Sequence, residues 1–342
     1  MLDNKNILIT GGSGTIGTAL AEYILINFNP NVIRILSRDE TKQLILRKNI
    51  QDPDEKLRLL IGDIREKGRV KRAIKDIDIV FHLAALKHVN ACEYNPFEAI
   101  KTNILGLQNI IELSIDSNIE MFVFTSTDKA ATPCNTMGVT KLLGEKLVTT
   151  ANYYKGRSTT IFYSVRFGNV LGSTGSLIPL IKDQIENNIP ITITDKNMTR
   201  YILTIQNAIN LILETIKLAQ GGEIFVPKMD SVKIMDLIEI LINHFAKNYN
   251  RIVDDIKIQE IGMFAGEKLY EELFSIEESE RTYEMENAYI IFPQITEVSK
   301  HLDLTKYPNI KKFDKTKPFN TKEGPFLSKK ELKDLLINNT II

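Results

Sequence analysis

The chain has 342 residues, and its 43 lysines and arginines balance its 43 aspartates and glutamates, so no bulk field draws it to nucleic acid or to an anionic membrane surface. No run of about 20 apolar residues occurs, the charged N-terminus is unlike a signal peptide, and two cysteines, Cys92 and Cys134, make no disulfide scaffold. These features predict a cytoplasmic protein with no membrane portion, and the length suits one large α/β unit plus a smaller lobe.

Residues 6–10, Asn-Ile-Leu-Ile-Thr, read as a short apolar strand followed by Gly11-Gly12-Ser13-Gly14-Thr15-Ile16-Gly17. Ile16, Leu20, Ile24 and Phe28 then repeat every four residues, which predicts a helix. A glycine-rich turn between a strand and a helix suits a dinucleotide. Gly11 permits the tight turn, Gly14 lets the backbone approach a pyrophosphate, and Gly17 lets the helix pack close to the sheet. The phosphates would lie on the amides of the helix N-terminus. A second strand at 32–36 ends in Ser37-Arg38-Asp39-Glu40. An acid at this tip accepts from the ribose diol of NAD, whereas an arginine pairs with the 2′-phosphate of NADP. Ser37-Arg38 favours NADP, and Asp39 keeps NAD possible.

A third strand at 57–61 leads to Gly62-Asp63-Ile64, and a fourth at 77–83 to Ala84-Ala85-Leu86-Lys87-His88. The small alanines would let a cofactor ribose lie against the backbone. His82, inside the apolar run, reads as a satisfied core residue. A helix over 96–117 opens with proline and carries Asn103. Apolar residues 121–124 predict a fifth strand ending in Thr125, Ser126 and Thr127, with Asp128 and Lys129 at once behind it. After Pro133 a helix starts near Asn135 or Thr136, and Met137 and Lys141 share one of its faces. A hydroxyl, a carboxyl and two amines thus converge at a strand's carboxyl end, where open α/β sheets bind ligands.

A sixth strand at 160–165 runs into Arg166-Phe167-Gly168-Asn169-Val170, and a helix starting near Ser176 offers its positive end to phosphate. A strand at 189–194, Met198-Thr199-Arg200, a helix at 206–218, a strand at 223–226 and a helix at 231–245 follow. Gly266-Glu267-Lys268 is expected ahead of another helix. Beyond Leu304 the lysine-rich tail is loosely patterned, except that Ser328-x-x-Glu331 before Leu332, Leu335 and Leu336 predicts a capped final helix.

From the first strand to about residue 295 the chain resembles the extended short-chain dehydrogenases/reductases. Ser126-Thr127-Asp128-Lys129-Ala130 and the Arg-Phe-Gly-Asn-Val run resemble, within them, the UDP-N-acetylglucosamine 4,6-dehydratases. The resemblance implies a doubly wound parallel sheet of the Rossmann kind. Residues 1–170 would form the dinucleotide-binding core, 171–304 mainly a substrate lobe, and 305–342 a tail with a short helix. It implies catalytic roles for Thr127, Asp128, Lys129 and Lys141, with Met137 standing where most of the family has tyrosine. Cofactor contacts would come from Gly11, Ser13, Gly14, Thr15, Ile16 and Gly17. Ser37, Arg38, Asp63, Ile64, Ala84, Ala85, Lys87, Asn103 and Lys141 would add to them, with Asn103 also helping to position the active-site backbone. Lys87, His88, Asn169, Val170 and Leu177 would meet the sugar or diphosphate. Thr192, Thr194, Met198, Arg200 and Glu267 would hold the uridine and its phosphates. No metal is implied, and a homo-oligomer (dimer or hexamer) is expected.

The chemistry so implied borrows an oxidised nicotinamide and returns it. Lys129, as base at sugar C5, must be neutral, so a lowered pKa is expected. Met137 cannot move a proton, so Asp128 would take the O4 proton and then deliver it to O6. As an ion pair, Asp128 and Lys129 would hold each other in the inactive state. Inversion at C5 is expected from the shorter relatives without membrane anchors. A 4-epimerase and a non-catalytic nucleotide-sugar binder are the alternatives.

Overall fold

The computed structural model describes residues 1–342. Six strands form its parallel core: β1 (Asn6–Thr10), β2 (Val32–Ser37), β3 (Leu57–Ile61), β4 (Ile79–His82), β5 (Met121–Thr127) and β6 (Ile161–Phe167). They lie in the order β3-β2-β1-β4-β5-β6, all parallel. This is the doubly wound arrangement, and its direction of winding reverses between β1 and β4. Ile224–Pro227 adds parallel to β6, and Ala288–Ile291, Thr282–Glu284 and Lys311–Lys312 extend that edge antiparallel, giving ten strands.

The strands are apolar on both faces because helices cover both. Alternate residues divide between two cores. Ile7, Ile9, Ile33, Ile35 and Phe81 face the helices Thr15–Asn27 and Ile205–Leu218. Leu8, Leu36, Val80, Phe122 and Phe124 face Lys67–Ile74, Gly106–Asp116 and Thr136–Tyr154. A third core joins Ile178 and Ile181 of the helix Leu177–Glu186 to Leu237 and Leu241 of Ile234–Asn248. Leu332 and Leu336 of the final helix, Lys329–Asn338, complete it. That helix carries the expected capping box on Ser328 and Glu331.

Three expectations need correction. The stretch 231–245 is not one helix. Asp230–Lys233 is a strand paired antiparallel with Thr199–Leu203, which buries Ser231 and Val232, and the helix begins only at Ile234. No helix follows Gly266-Glu267-Lys268 directly; the chain passes through a bridge at Glu272 and turns helical only over Ile276–Ser279. The helix over 96–117 is interrupted by a π-helical turn, Lys101–Leu105, between Pro96–Ile100 and Gly106–Asp116. No helix is long and apolar enough to cross a membrane.

Candidate active site

A cleft of about 810 Å³ opens at the carboxyl ends of β1, β4 and β5. At its floor Gly11 has φ +66°, and a Cβ there would lie 2.7 Å from the Ala84 backbone nitrogen. Gly17 packs so closely on Gly12 that a side chain would collide with its backbone. The glycine loop therefore sits hard against the end of β4, with the first turn of the helix Thr15–Asn27 lining the cleft. At one end Ser13 Oγ donates to Ser37 Oγ (2.8 Å), and Arg38 and Lys42 line the wall. Arg38 reaches Asp63 at 3.4 Å. Asp39 instead caps the helix Glu40–Asn49, accepting from the Lys42 amide at 2.9 Å. Thr15, Ile16, Ile64, Ala85 and Val170 all line the same cleft.

At the other end, Met137 and Lys141 project from Thr136–Tyr154 into the cleft beside Thr127 and Lys129. Asn135 caps that helix through the Gly138 amide at 2.7 Å. Lys141 Nζ donates to Thr125 O (2.8 Å) and lies 4.7 Å from the centre of the Phe124 ring. Burial pushes its ammonium down to about 8, against the pull of Glu145. Met137 is buried against Cys92 and Ala99.

Asp128 is fully buried one layer behind the cleft wall. Its Oδ1 accepts from Thr127 Oγ1 (2.9 Å) and Lys129 Nζ (3.0 Å), while its Oδ2 has no partner. Lys129 Nζ also donates to Asn169 Oδ1 (3.2 Å) and stands 3.2 Å from Glu271 Oε1. The expected lowering of the Lys129 pKa is not found. Burial alone would push the ammonium down, but the Asp128 and Glu271 carboxylates outweigh it and hold it above the ordinary lysine value. The side chains of Asp128 and Lys129 stand as an ion pair at 3.0 Å, and Lys129 is held as the ammonium.

Several residues expected on the cleft lie elsewhere. Asn103, expected both to meet the cofactor and to position the active-site backbone, sits behind the wall; its side chain holds the backbone of Leu86, a cleft residue, accepting from Leu86 N (2.8 Å) and donating to Leu86 O (3.0 Å) and Thr140 Oγ1 (2.9 Å). Arg200 is neither exposed nor a free clamp. Its whole strand is buried, and its guanidinium donates to Thr199 O (2.8 Å) and Lys268 O (2.9 Å) with Glu271 3.8 Å away. Met198 packs beside it. Thr194 donates to Glu267 (3.3 Å), Thr192 accepts from Gln184 (2.9 Å), and Leu177 packs on the third core. Arg200, Met198, Thr194, Thr192, Glu267 and Leu177 do not line the cleft. At the mouth Lys87 donates to Thr174 O (2.8 Å), and His88 is exposed beside Gly175. His82 is buried as expected, its Nδ1 2.8 Å from Thr10 Oγ1, yet its Nε2 is unpartnered. Burial and nearby Lys141 push it down to about 3.

Glu271 was not foreseen. It lies in an Glu-Glu pair after a mixed Lys-Leu-Tyr stretch, with no periodicity to mark it as buried, and only the fold brings it to Lys129.

The cleft fits a dinucleotide. Its glycine cradle has no room for side chains, and the buried hydroxyls of Thr102, Ser126 and Ser176 line it without partners. Such hydroxyls are costly unless a polar ligand meets them.

A family model described as polysaccharide biosynthesis protein matches residues 7–293. The chain is 46% identical over 97% of its length to an uncharacterized membrane protein of Methanocaldococcus jannaschii, of which it covers 95%. It is 41% identical to the UDP-N-acetylglucosamine 4,6-dehydratase (inverting) of Campylobacter jejuni, covering 99% of both chains. It is 37% identical to a UDP-glucose 4-epimerase of Rickettsia bellii, over 99% of this chain and 97% of that one. The X-ray structure of Pen from Bacillus thuringiensis matches with a TM-score of 0.90 and 42% identity, over 100% and 99% of the two chains. A Rossmann-type enzyme of the short-chain dehydrogenase/reductase fold is the class so defined. The chain belongs to the polysaccharide biosynthesis protein family.

Proposed function

We propose that this enzyme removes water from UDP-N-acetylglucosamine, giving a UDP-4-keto-6-deoxy-N-acetylhexosamine with inversion at C5, for surface polysaccharide or glycan synthesis. The observation that carries this reading is the Thr127–Asp128–Lys129 cluster beside Lys141, with Met137 in place of a proton-transferring residue. Residues Gly11 to Gly17, Ala84 and Lys141 would hold a nicotinamide dinucleotide, which when bound takes a hydride from sugar C4 and returns it to C6. Arg38 and Lys42 at the Ser13–Ser37 end favour NADP, since two cations there suit a 2′-phosphate.

Thr127 orients the sugar O4. Asp128, entering as a carboxylate, receives the O4 proton and passes it to the departing C6 hydroxyl. Lys129 removes the C5 proton, which the neighbouring C4 ketone has made acidic. A short network links the three residues, with Thr127 and Lys129 on the cleft and Asp128 bonded to both from behind its wall, so the Thr127 hydroxyl connects the substrate to the buried carboxyl. The rickettsial relative favours 4-epimerisation as a second reading. Epimerisation needs no acid at O6, and Met137 leaves it without a tyrosine. We further propose a cytoplasmic location and self-association into a homo-oligomer, the latter supported by the exposed Phe97, Leu105, Val139 and Leu143 on adjacent helices.

Incubating the protein with UDP-N-acetylglucosamine and NADP in deuterated water tests the reading by mass spectrometry. Loss of water with one deuterium at C5 is expected. A product of unchanged mass, altered only at C4, would sink it.

A further inference from the structure

We infer that Glu271 is the proton acceptor that discharges Lys129, turning a resting ammonium into the amine that works at C5. The inference rests on the dehydratase reading and supplies the step that reading lacks. Three oxygens surround Lys129 Nζ: Asp128 Oδ1 at 3.0 Å, Asn169 Oδ1 at 3.2 Å and Glu271 Oε1 at 3.2 Å. An ammonium has three protons and no lone pair, so this cage holds Lys129 where it cannot act as a base. One proton must leave before C5 is attacked.

The three oxygens are not equivalent as receivers. Asn169 offers an amide oxygen, which does not hold a proton at neutral pH. Asp128 Oδ1 already accepts from Thr127, and this carboxyl is committed to the O4 and O6 protons. Glu271 has no other task in the site. It is 1% exposed, its Oε2 has no donor, and its nearest other cation, Arg200, is 3.8 Å away and bonded to backbone carbonyls. Burial pushes its carboxyl above the ordinary glutamate range, with Asp128 adding to the effect and Lys129 and Arg200 opposing it. A buried carboxylate in that setting gives up little by becoming neutral. Its place is fixed from the C-terminal tail: Glu271 N donates to Thr321 Oγ1 (2.9 Å), and Thr321 N donates to Glu271 O (2.9 Å).

The step is one proton shift. The Nζ–H bond breaks, an Oε1–H bond forms, the two charges vanish together, and nothing is oxidised or reduced. Once C5 has been reprotonated, the carboxyl returns its proton to Lys129 or to water. Glu271 does not line the cleft and acts through Lys129, so it is a positioning residue for the charge state of Lys129. The groups that bear on its titration are Asp128 and Lys129 behind β5, and Arg200 on Thr199–Leu203.

The test uses the full-length holoenzyme with NADP and UDP-N-acetylglucosamine in deuterated water. Glu271→Gln keeps the shape and one oxygen but cannot take the proton. Nicotinamide absorbance should show C4 oxidation within a few-fold of wild type, while deuterium entry at C5 and water loss fall about 100-fold or more. Glu271→Asp should recover part of the loss and shift the pH profile of turnover, which a merely structural role would not do. In wild type, substrate binding should raise an infrared band of a protonated carboxyl that moves on carbon-13 labelling of glutamate. Deuterium entry in Glu271→Gln within a few-fold of wild type overturns the inference and leaves the dehydratase reading intact. Absence of the labelled band does the same should Glu271→Gln not fold. Wild type that loses no water overturns both.

Discussion

Two buried charge clusters sit side by side on neighbouring strands, and they differ in whether their bonds close. On β6, Arg166 is fully buried and all five of its N–H groups are used. Nε and Nη2 grip Glu145 at 2.9 and 2.6 Å, Nη1 and Nη2 grip Glu278 at 2.8 and 3.0 Å, and Nη1 reaches Leu273 O at 3.0 Å. The Ser126 backbone, two residues before Asp128, pairs with Arg166 across the strands. In the second cluster, Asp128 Oδ2 and Glu271 Oε2 are buried with no partner, and Lys129 faces the cleft. A closed cluster fixes a fold, whereas an open one keeps lone pairs free to move protons. Glu278 illustrates the first: burial would raise it, but Arg166 holds it below the ordinary glutamate value. Glu271 is raised instead.

The comparison breaks most visibly at Asp128. Asp128→Asn keeps the shape of the open cluster but would end both proton tasks proposed for this carboxyl, so turnover should fall by roughly 10⁴-fold with C4 oxidation and water loss failing together. Single-turnover absorbance of the nicotinamide would show it, and reduction at the normal rate would refute the two-task relay. Arg166→Met breaks the closed cluster and leaves two buried carboxylates uncompensated. It should cost about 3–5 kcal/mol of stability, read by chemical denaturation. A loss below about 1 kcal/mol would mean that water reaches the site and that the closed cluster is not closed.

The first half of the chain was legible because its signals are local. Apolar runs of five residues, a glycine turn and a period-four helix each report on their own neighbours, and β1, β2 and β3 stand within a residue of where the sequence puts them. Thr127, Lys129, Met137 and Lys141 were legible as one site for the same reason, being a strand end and the start of the next helix. The open cluster's other half was not. Glu271 meets Lys129 across 142 positions through a lobe whose strands are two to five residues long, too short to show a period. Arg200 misled for a related reason. It was expected to hold the uridine phosphates, but pairing on both sides of Thr199–Leu203 buries it and its guanidinium bonds backbone carbonyls.

Lys141 sharpens the contrast through pH. Its amine titrates near 8 in the fold and at the ordinary 10.5 once unfolded. Between those values the unfolded chain binds more protons than the folded one, so the penalty for burying the charge fades as pH rises. The ligand-free enzyme should therefore gain about 1–3 kcal/mol relative to Lys141→Met on going from pH 8 to 10.5. Denaturation midpoints of the two proteins across that range check it. Parallel curves would show that Lys141 is better solvated than its contacts with Thr125 and Phe124 indicate.

The smallest expected effect is the most informative about the missing tyrosine. Met137 is 4% exposed, packs on Cys92 and Ala99, and lines the cleft one helical turn before Lys141. Met137→Tyr would place a hydroxyl there, with an amine near 8 close by to help ionise it. The larger, stiffer ring should cost about 1 kcal/mol of stability. If Asp128 already takes the O4 proton, a second acceptor has nothing to add, and turnover should stay within about threefold of wild type, or about 0.7 kcal/mol in barrier. A tenfold gain would mean that O4 deprotonation limits the enzyme and that Asp128 performs it poorly. The open cluster would then be specialised for the C5 and C6 protons alone, with the burden at O4 left to Thr127 and solvent.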